Sequence, residues 1–456
     1  MKTTKRRDLT QGPVGKSLLL FVLPIMLGNV LQTLYSAADK MVVGQFAENG
    51  DLALAAVGGT TSVSYLIIGL FIGLGMGVNV ICANLMGAKK FTELRRTMHT
   101  ALPVALVCGI VVAITGILVA EKVLLLMDTP KSVLGLATLY MRIYFASIPA
   151  VLLYNFGAAI LRSNGDTKRP MYILMFSGIL NVVLNLVFVI GFHMSVDGVA
   201  LATAIAQVCS AVVVLWILFN PKDQYKMQFR ELRVHGKELL AIIRIGVPSG
   251  LSGMVFSLSK VVLQSTLNGF EDAELLAGQS IVADVGGIIY QVLAAMLAAC
   301  VSFAGQCYGA KKYKRIDQLV VWGCVICWAI MGSMIAICAI FAEQTVGLFN
   351  KDPDVVAWGS MLIRLELTGY VIYIPSEVFL GCNRGMKHAT MPTFLNFLGV
   401  CVVRVLWVLF IFPLNPVVWM LYLCYPVSWC ASTLLQGSYF FYLRRKVRKS
   451  DPAIEA

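Results

Sequence analysis

Charge is what this chain most lacks. Asp, Glu, Lys and Arg together make up 13% of its 456 residues, about half the share of an ordinary soluble domain. Hydrophobic residues make up 58%, and mean hydropathy is +0.80. Such a balance excludes a soluble globular fold. Histidine is scarce as well, with 4 residues at scattered helix ends or loops and no ligand spacing. No Walker A loop occurs, which disfavours direct coupling to ATP. The "GLGMG" run from Gly73 to Gly77 has no strand before it, so small residues for close helix packing explain it better than a nucleotide loop. The 12 cysteines lie nearly all inside apolar runs. "CVIC" (Cys324, Cys327) has no partner pair, which argues against zinc or redox chemistry and for thiols acting as small hydrophobes. No nucleophile–base set is present, so the expectation is a protein that is not an enzyme and carries no cofactor.

Long apolar runs are what the chain does have. Blocks of about 20 residues or more, the length that crosses roughly 30 Å of hydrocarbon, predict twelve helices. They fall near 16–43, 52–84, 95–120, 133–160, 169–191, 197–219, 239–267, 274–304, 317–342, 354–382, 391–412 and 416–443. The basic start, "MKTTKRRDLTQGPVGKS", precedes an apolar segment too long for a signal-peptide core and without a small-residue cleavage site, so it is expected to be a retained first span. With both termini placed in the cytoplasm, 29 of the 37 Lys and Arg fall in tails and cytoplasmic connections and 3 (Lys122, Lys131, Lys351) on the other side. That bias sets orientation in a bilayer. It also accounts for the net charge of +13 without a nucleic-acid partner. The expectation is a monomeric, multi-pass cell-membrane protein with both ends cytoplasmic.

The chain also repeats itself. "ANLMGAKKFTELRR" from Ala83 recurs as "GQCYGAKKYKRIDQ" from Gly305, 222 residues later. Arg142 and Arg364, Arg162 and Arg384, and Pro170 and Pro392 keep that offset, and Pro24 pairs with Pro248 at 224. An even number of spans per half makes both halves enter from the same side. The fold class expected is all-α and polytopic, with twelve transmembrane helices forming two six-helix bundles related by a pseudo-two-fold axis along the membrane normal. The lobes run 1–219 and 239–456, joined by a basic cytoplasmic linker at 220–238, and the second lobe ends in a basic tail.

Polar residues interrupt these apolar runs in stripes. Asn29, Gln32, Ser36 and Asp39 are spaced 3, 4 and 3 apart, hence on one helical face. Asp39 stands where a charge at mid-bilayer costs roughly 2.5–3.5 kcal/mol on insertion scales. Asn181 and Asn185 share a face of the fifth helix, and Asn155 and Thr203 supply further oxygens. Such a set suits a proton or a hard cation, with Na⁺ at Asp39 the only metal it would hold. An interfacial charge beside Lys40, with the amides as interhelical glue, is the alternative. In the second half Glu366, Tyr370, Tyr373 and Glu377 share a face, Asp284 and Gln291 share another, and Lys260 and Arg404 are counter-charges. Structural ion pairing and contact with substrate both fit these residues, since an unpaired charge in a span is expensive. Arg142 and Arg364 occupy equivalent places, which favours a scaffold role.

"LPIMLGNVLQTLYSAADKMVVGQF", the two "GAKK" turns, "LRSNGDTKRPMY", "LNVVLNLVFVIG" and "DGVALATAIAQ" resemble the multidrug and toxic compound extrusion (MATE) family, in particular its bacterial multidrug export proteins. The resemblance spans the whole chain. It implies a secondary transporter of twelve helices that expels amphipathic, often cationic drug-like compounds against inward H⁺ or Na⁺ flow, and so confers drug resistance. By that resemblance Asp39, Asn155, Asn181 and Thr203 form the cation or proton site, Asn185 standing where the family commonly has a second acid. Some relatives use a seventh-span glutamate, and the matching place here is around Phe256. The substrate cavity candidates are Gln32, Ser36, Asp284, Tyr370, Tyr373 and Glu377, with Glu377 at the place equivalent to Asn155. A flippase for lipid-linked oligosaccharide or a related lipid precursor, on the same twelve-helix plan, is the alternative function. The loop "MGAKKFTELRR" lacks the acidic-arginine pattern of the other large twelve-span permease class.

Overall fold

The computed structural model describes residues 8–47, 50–220 and 227–450, and all side chains within them except those of 61–68, 255, 256, 258 and 450. The first seven residues, part of the linker and the Phe256 side chain therefore lie outside the described residues. Twelve helices among the described residues are long and apolar enough to span a membrane. They are α1 (Val14–Phe46), α2 (Gly50–Gly87), α3 (Phe91–Leu126), α4 (Lys131–Ser163), α5 (Lys168–Gly191), α6 (Val196–Phe219), α7 (Gly236–Asn268), α8 (Ala273–Gly309), α9 (Tyr313–Ile340), α10 (Pro353–Gly385), α11 (Thr390–Leu414) and α12 (Val418–Lys449). All twelve expected spans are present, most of them extended by a few residues. The 37 residues of α8, at 1.5 Å per residue, exceed the roughly 30 Å hydrocarbon depth. Such helices tilt or project beyond it.

Several spans are not uniform. α5 ends in a π-helical turn at Val187–Gly191, α10 contains one at Ile363–Leu367, and α11 carries two, at Phe397–Val402 and Trp407–Ile411. Each such turn holds an extra residue and shifts the face that later residues present. At its start α10 is capped by Asp352, whose carboxylate accepts from the Asp354 amide at 2.9 Å, with Pro353 supplying a preset first-turn φ.

The chain forms two compact units. One comprises Leu27–Gly250, and the other comprises Asp8–Met26 with Leu251 onward. The division thus falls inside α1 and α7. In the first unit the "GLGMG" glycines do what their size allows. A Cβ on Gly73 would overlap the Gly250 backbone, and one on Gly77 would meet the Ile242 carbonyl at 2.5 Å, so α2 and α7 approach backbone to backbone. The described part of the linker is pinned to α3. Arg95 Nε lies 2.9 Å from a Glu231 oxygen, and the Gln228 amide donates to His99 Nε2 at 3.1 Å. In the second unit α8, α10 and α12 enclose Phe303, Tyr373, Trp429 and Phe440, each at most 2% exposed. All twelve cysteines are free and most are buried.

The duplication is visible in geometry. Lys89 (φ 56°) and Lys311 (φ 57°) hold the same left-handed turn after α2 and α8. Gly165 (φ 85°) and Lys387 (φ 68°) do so after α4 and α10. Arg142 reaches Glu121 at 3.3 Å and Arg364 reaches Glu343 at 3.4 Å. Every member of these pairs stands 222 residues from its counterpart. Both arginines thus make exposed ion pairs at equivalent places, each contributing about 0–1 kcal/mol. The second "GAKK" turn has a further task, anchoring the N-terminal segment. Lys312 Nζ donates to the Thr10 carbonyl at 2.9 Å, Arg315 to the Gly12 carbonyl at 2.8 Å, and Leu9 N–H to Gln306 Oε1 at 3.2 Å.

Candidate functional site

In the first unit α1 lies against α5 because α5 has no side chain at the crossing. A Cβ on Gly178 would fall inside the Tyr35 ring, and the Tyr35 hydroxyl donates to the Met175 carbonyl at 3.3 Å. This contact places Asp39, one helical turn beyond Tyr35, opposite Asn181 and Asn185. Asp39 is half-buried, while Asn181 is 5% exposed and Asn185 fully buried. Asn185 Nδ2 donates to Asp39 Oδ1. Thr203 Oγ1 on α6 lies 3.5 Å from Asp39 Oδ2, and Asn181 Nδ2 donates to Thr203 Oγ1 at 3.2 Å. Four of the residues singled out in the sequence are thus joined in one network.

One atom of that network stands apart. Asn185 Oδ1 is buried with no hydrogen-bond partner among the described residues. An unsatisfied buried carbonyl costs about 1–3 kcal/mol, and a cation beside Asp39 would relieve it. With two carboxylate oxygens, a hydroxyl and amide oxygens, the donor set is the hard-oxygen type that suits Na⁺ or a proton. No group of three or more His, Cys, Asp or Glu able to hold a metal occurs among the described residues.

The other candidates fall in different places. Asn155 donates its amide to the Val151 carbonyl of its own helix at 2.8 Å. Gln32 and Ser36 are exposed, the Ser36 hydroxyl donating to the Gln32 carbonyl at 3.2 Å. In the second unit Asp284 is exposed on α8. Tyr373 and Glu377 are buried together, the tyrosine hydroxyl donating to Glu377 Oε1 at 2.6 Å. Tyr370 stacks on Trp429 with ring centroids 4.7 Å apart, and Arg404 is fully buried over the Tyr425 ring at 4.4 Å. The sequence placed Glu366, Tyr370, Tyr373 and Glu377 on one face. The π-helical turn at Ile363–Leu367 instead lies at the head of that row, and no apolar periodicity announces it.

The described residues thus form a twelve-helix membrane protein with an amide-framed carboxylate inside one helical unit, and comparison with known proteins shows its family. The MatE family model matches residues 24–187 and 248–409, one match in each half. The chain therefore belongs to the MatE family of multidrug efflux transporters, and it is a multi-pass membrane protein. Among curated proteins it is 27% identical to the probable multidrug resistance protein YoeA of Bacillus subtilis, over 98% of both chains. It is 22% identical to the multidrug export protein MepA of Staphylococcus saprophyticus, over 95% of this chain and 96% of that one. Among solved structures, the outward-facing conformation of a multidrug resistance MATE family transporter superposes with a TM-score of 0.90 at 22% identity. That match covers 98% of this chain and all of the other. A MATE transporter in a bent conformation gives 0.88 at 24%, over 98% of this chain.

Proposed function

We propose that the chain is a cation-coupled antiporter, driven by H⁺ or Na⁺, that exports amphipathic, often cationic drug-like compounds across the cell membrane by alternating access. In this reading it acts as a monomer, and the bias of its basic connections supports placing both termini in the cytoplasm. The observation that carries this reading is the Asp39–Asn185–Thr203–Asn181 network, with a buried amide oxygen that has no partner among the described residues. The names of the relatives support the cargo class.

In the proposed cycle Asp39 takes the cation in the outward-facing state. Neutralising the carboxylate removes the cost of keeping a bare charge half-buried among apolar helices. α1 then repacks near Pro24, where the ring removes a backbone donor, or near Gly28, and cargo is released. Cargo entering from the cytoplasm favours the reverse. A full inversion of two populations takes about 5.5 kcal/mol of differential affinity, and one buried charge change supplies a large part of that. The test is efflux of a fluorescent cationic dye from everted vesicles, with ΔpH and ΔNa⁺ imposed separately. Asp39→Asn is expected to abolish ion-driven efflux at normal expression; transport at the wild-type rate would end the proposal.

A further inference from the structure

In the second unit α9 and α12 border a cavity of about 470 Å³ whose walls are strongly basic. Lys314 and Asp317 of α9 and Phe441, Arg444, Arg445 and Arg448 of α12 line it. We propose that this cavity binds the phosphodiester headgroup of an anionic phospholipid. The proposal goes beyond the transport reading and does not depend on it, since no residue of the Asp39 network lines the cavity.

Charge is the first observation. Of the charged residues that line the cavity, four are basic and one is acidic. The acid is already committed: Arg444 Nε donates to Asp317 Oδ1 and Arg444 Nη2 to Asp317 Oδ2, both at 2.6 Å. A two-pronged pair of this kind is the strong form of an ion pair. The Arg444 guanidinium also lies 5.5 Å over the Tyr313 ring, and its side chain is 17% exposed. Arg444 is therefore a positioning residue, which fastens the end of α12 to the start of α9. The excess charge of the walls is carried by Lys314, Arg445 and Arg448, all exposed. Like charges gathered around one hollow repel each other, and an anion among them turns that repulsion into attraction. Guanidinium groups present paired N–H donors that match phosphate oxygens, so phosphate is the anion these walls suit best.

The place along α12 selects what carries that phosphate. Tyr439, Phe440, Phe441 and Tyr442 follow one another just before the arginines, and Phe441 and Tyr442 are each 58% exposed. Aromatic side chains gather at the headgroup level of a bilayer. Five of the six residues at 444–449 are basic. The cavity straddles this boundary, with Phe441 on its wall and Arg448 about two helical turns further on. A ligand seated there meets cations at one end and apolar surface at the other, which is the division within a phospholipid. Basic pockets between spans are known to hold acidic lipid headgroups. A choline ammonium would face the same cations, so the walls favour a headgroup of net negative charge. The volume falls within the roughly 300–1,000 Å³ of small-ligand sites, enough for a headgroup whose acyl chains stay outside, over Phe441.

The test is native mass spectrometry of the purified full-length protein, delipidated in a neutral detergent and titrated with dioleoylphosphatidylglycerol. The first lipid is expected to bind roughly tenfold more tightly than dioleoylphosphatidylcholine does. Arg445→Gln combined with Arg448→Gln is expected to weaken that binding roughly tenfold. Lys446→Gln combined with Lys449→Gln removes the same charge from residues of α12 that do not line the cavity, and is expected to leave binding near the wild-type value. All four side chains are exposed, so both double variants are expected to unfold at the wild-type temperature. Equal weakening in the two double variants would reveal diffuse attraction to a basic tail and overturn the site. Wild-type binding in the Arg445/Arg448 variant, or equal affinity for the two lipids, would overturn it as well. Glycerol 3-phosphate, which offers the phosphate without the chains, is expected not to displace the lipid even in large excess; displacement would assign the cavity to a soluble phosphate and overturn the lipid assignment.

Discussion

Asn185 does two things at once beside Asp39. Its amide nitrogen holds the carboxylate, and its carbonyl oxygen stays buried without a partner among the described residues. Restoring an acid there removes the donor and brings a second negative charge against the first, and two carboxylates so close cannot both ionise unless a cation sits between them. Asn185→Asp is therefore expected to change the dependence of dye efflux on pH and on Na⁺, measured in everted vesicles. Superimposable profiles would show the position to be idle. At this scale the residues of the first-unit network were legible in the sequence. Asp39, Asn181, Asn185 and Thr203 are polar residues in apolar helices, Asn181 and Asn185 spaced to share a face of α5, and α1, α5 and α6 are regular where they carry them. The second unit was less legible. The phase of α10 depends on the extra residue in its π-helical turn, so shared spacing did not separate Glu366, which borders a cavity that Lys260 also lines, from Glu377, which pairs with Tyr373. Nor does any pattern disclose that the Asn155 amide is spent on its own backbone.

At the scale of elements, the pairing of α1 with α5 rests on one missing side chain. Gly178→Ala would push a methyl group into the Tyr35 ring. Overpacking of this kind costs about 1–3 kcal/mol, and here it also moves Asp39 away from its amides. The expected outcome is a lower unfolding temperature together with reduced ion-driven efflux; a variant with wild-type values of both would show that the crossing is loose. The N-terminal segment is a second case. Burial opposes ionisation of Asp8, but the Thr10 hydroxyl and amide, the Lys312 charge and the Gln11 amide outweigh it and hold the carboxyl below its usual range. Because the folded value is depressed, the stability it contributes is present above the unfolded carboxylate value and is lost as pH falls through the folded one. Hydrogen exchange at Leu9 and Gln11 is expected to quicken, relative to that of α8, below about pH 3.9. Asp8→Asn should show the quickened exchange already at neutral pH, and equal protection in both proteins would show the anchor to be independent of that charge. The spans themselves were legible as apolar blocks. Their ends were not, since helices such as α3 and α8 continue beyond the apolar blocks, where hydropathy no longer reports them.

For the whole molecule, the internal repeat was the most informative sequence feature. The family matches begin at 24 and 248, where Pro24 and Pro248 stand. The backbone repeats its left-handed turns at Lys89 and Lys311, and its arginine clasps at Arg142 and Arg364, in the same register. The halves have nonetheless diverged in their polar content. The first joins one acid to amides in the Asp39 network and buries a separate Asp166–Arg169 pair at the start of α5, whereas the second buries Glu366, Glu377, Arg384 and Arg404 among tyrosines. That difference is written in side chains, and the repeat in the backbone did not foretell it.

Under the coupling proposed at Asp39, a network with a single acid also fixes an electrical property. A site that discharges one carboxylate per turnover exchanges one monovalent ion, so export of a singly charged cargo moves no net charge. The membrane voltage, about 2.3 kcal/mol per charge per 100 mV, then does no work on the cycle. Efflux from vesicles clamped with K⁺ and an ionophore should be equally fast at every imposed potential; a rate that climbs with voltage would mean that a second ion travels too.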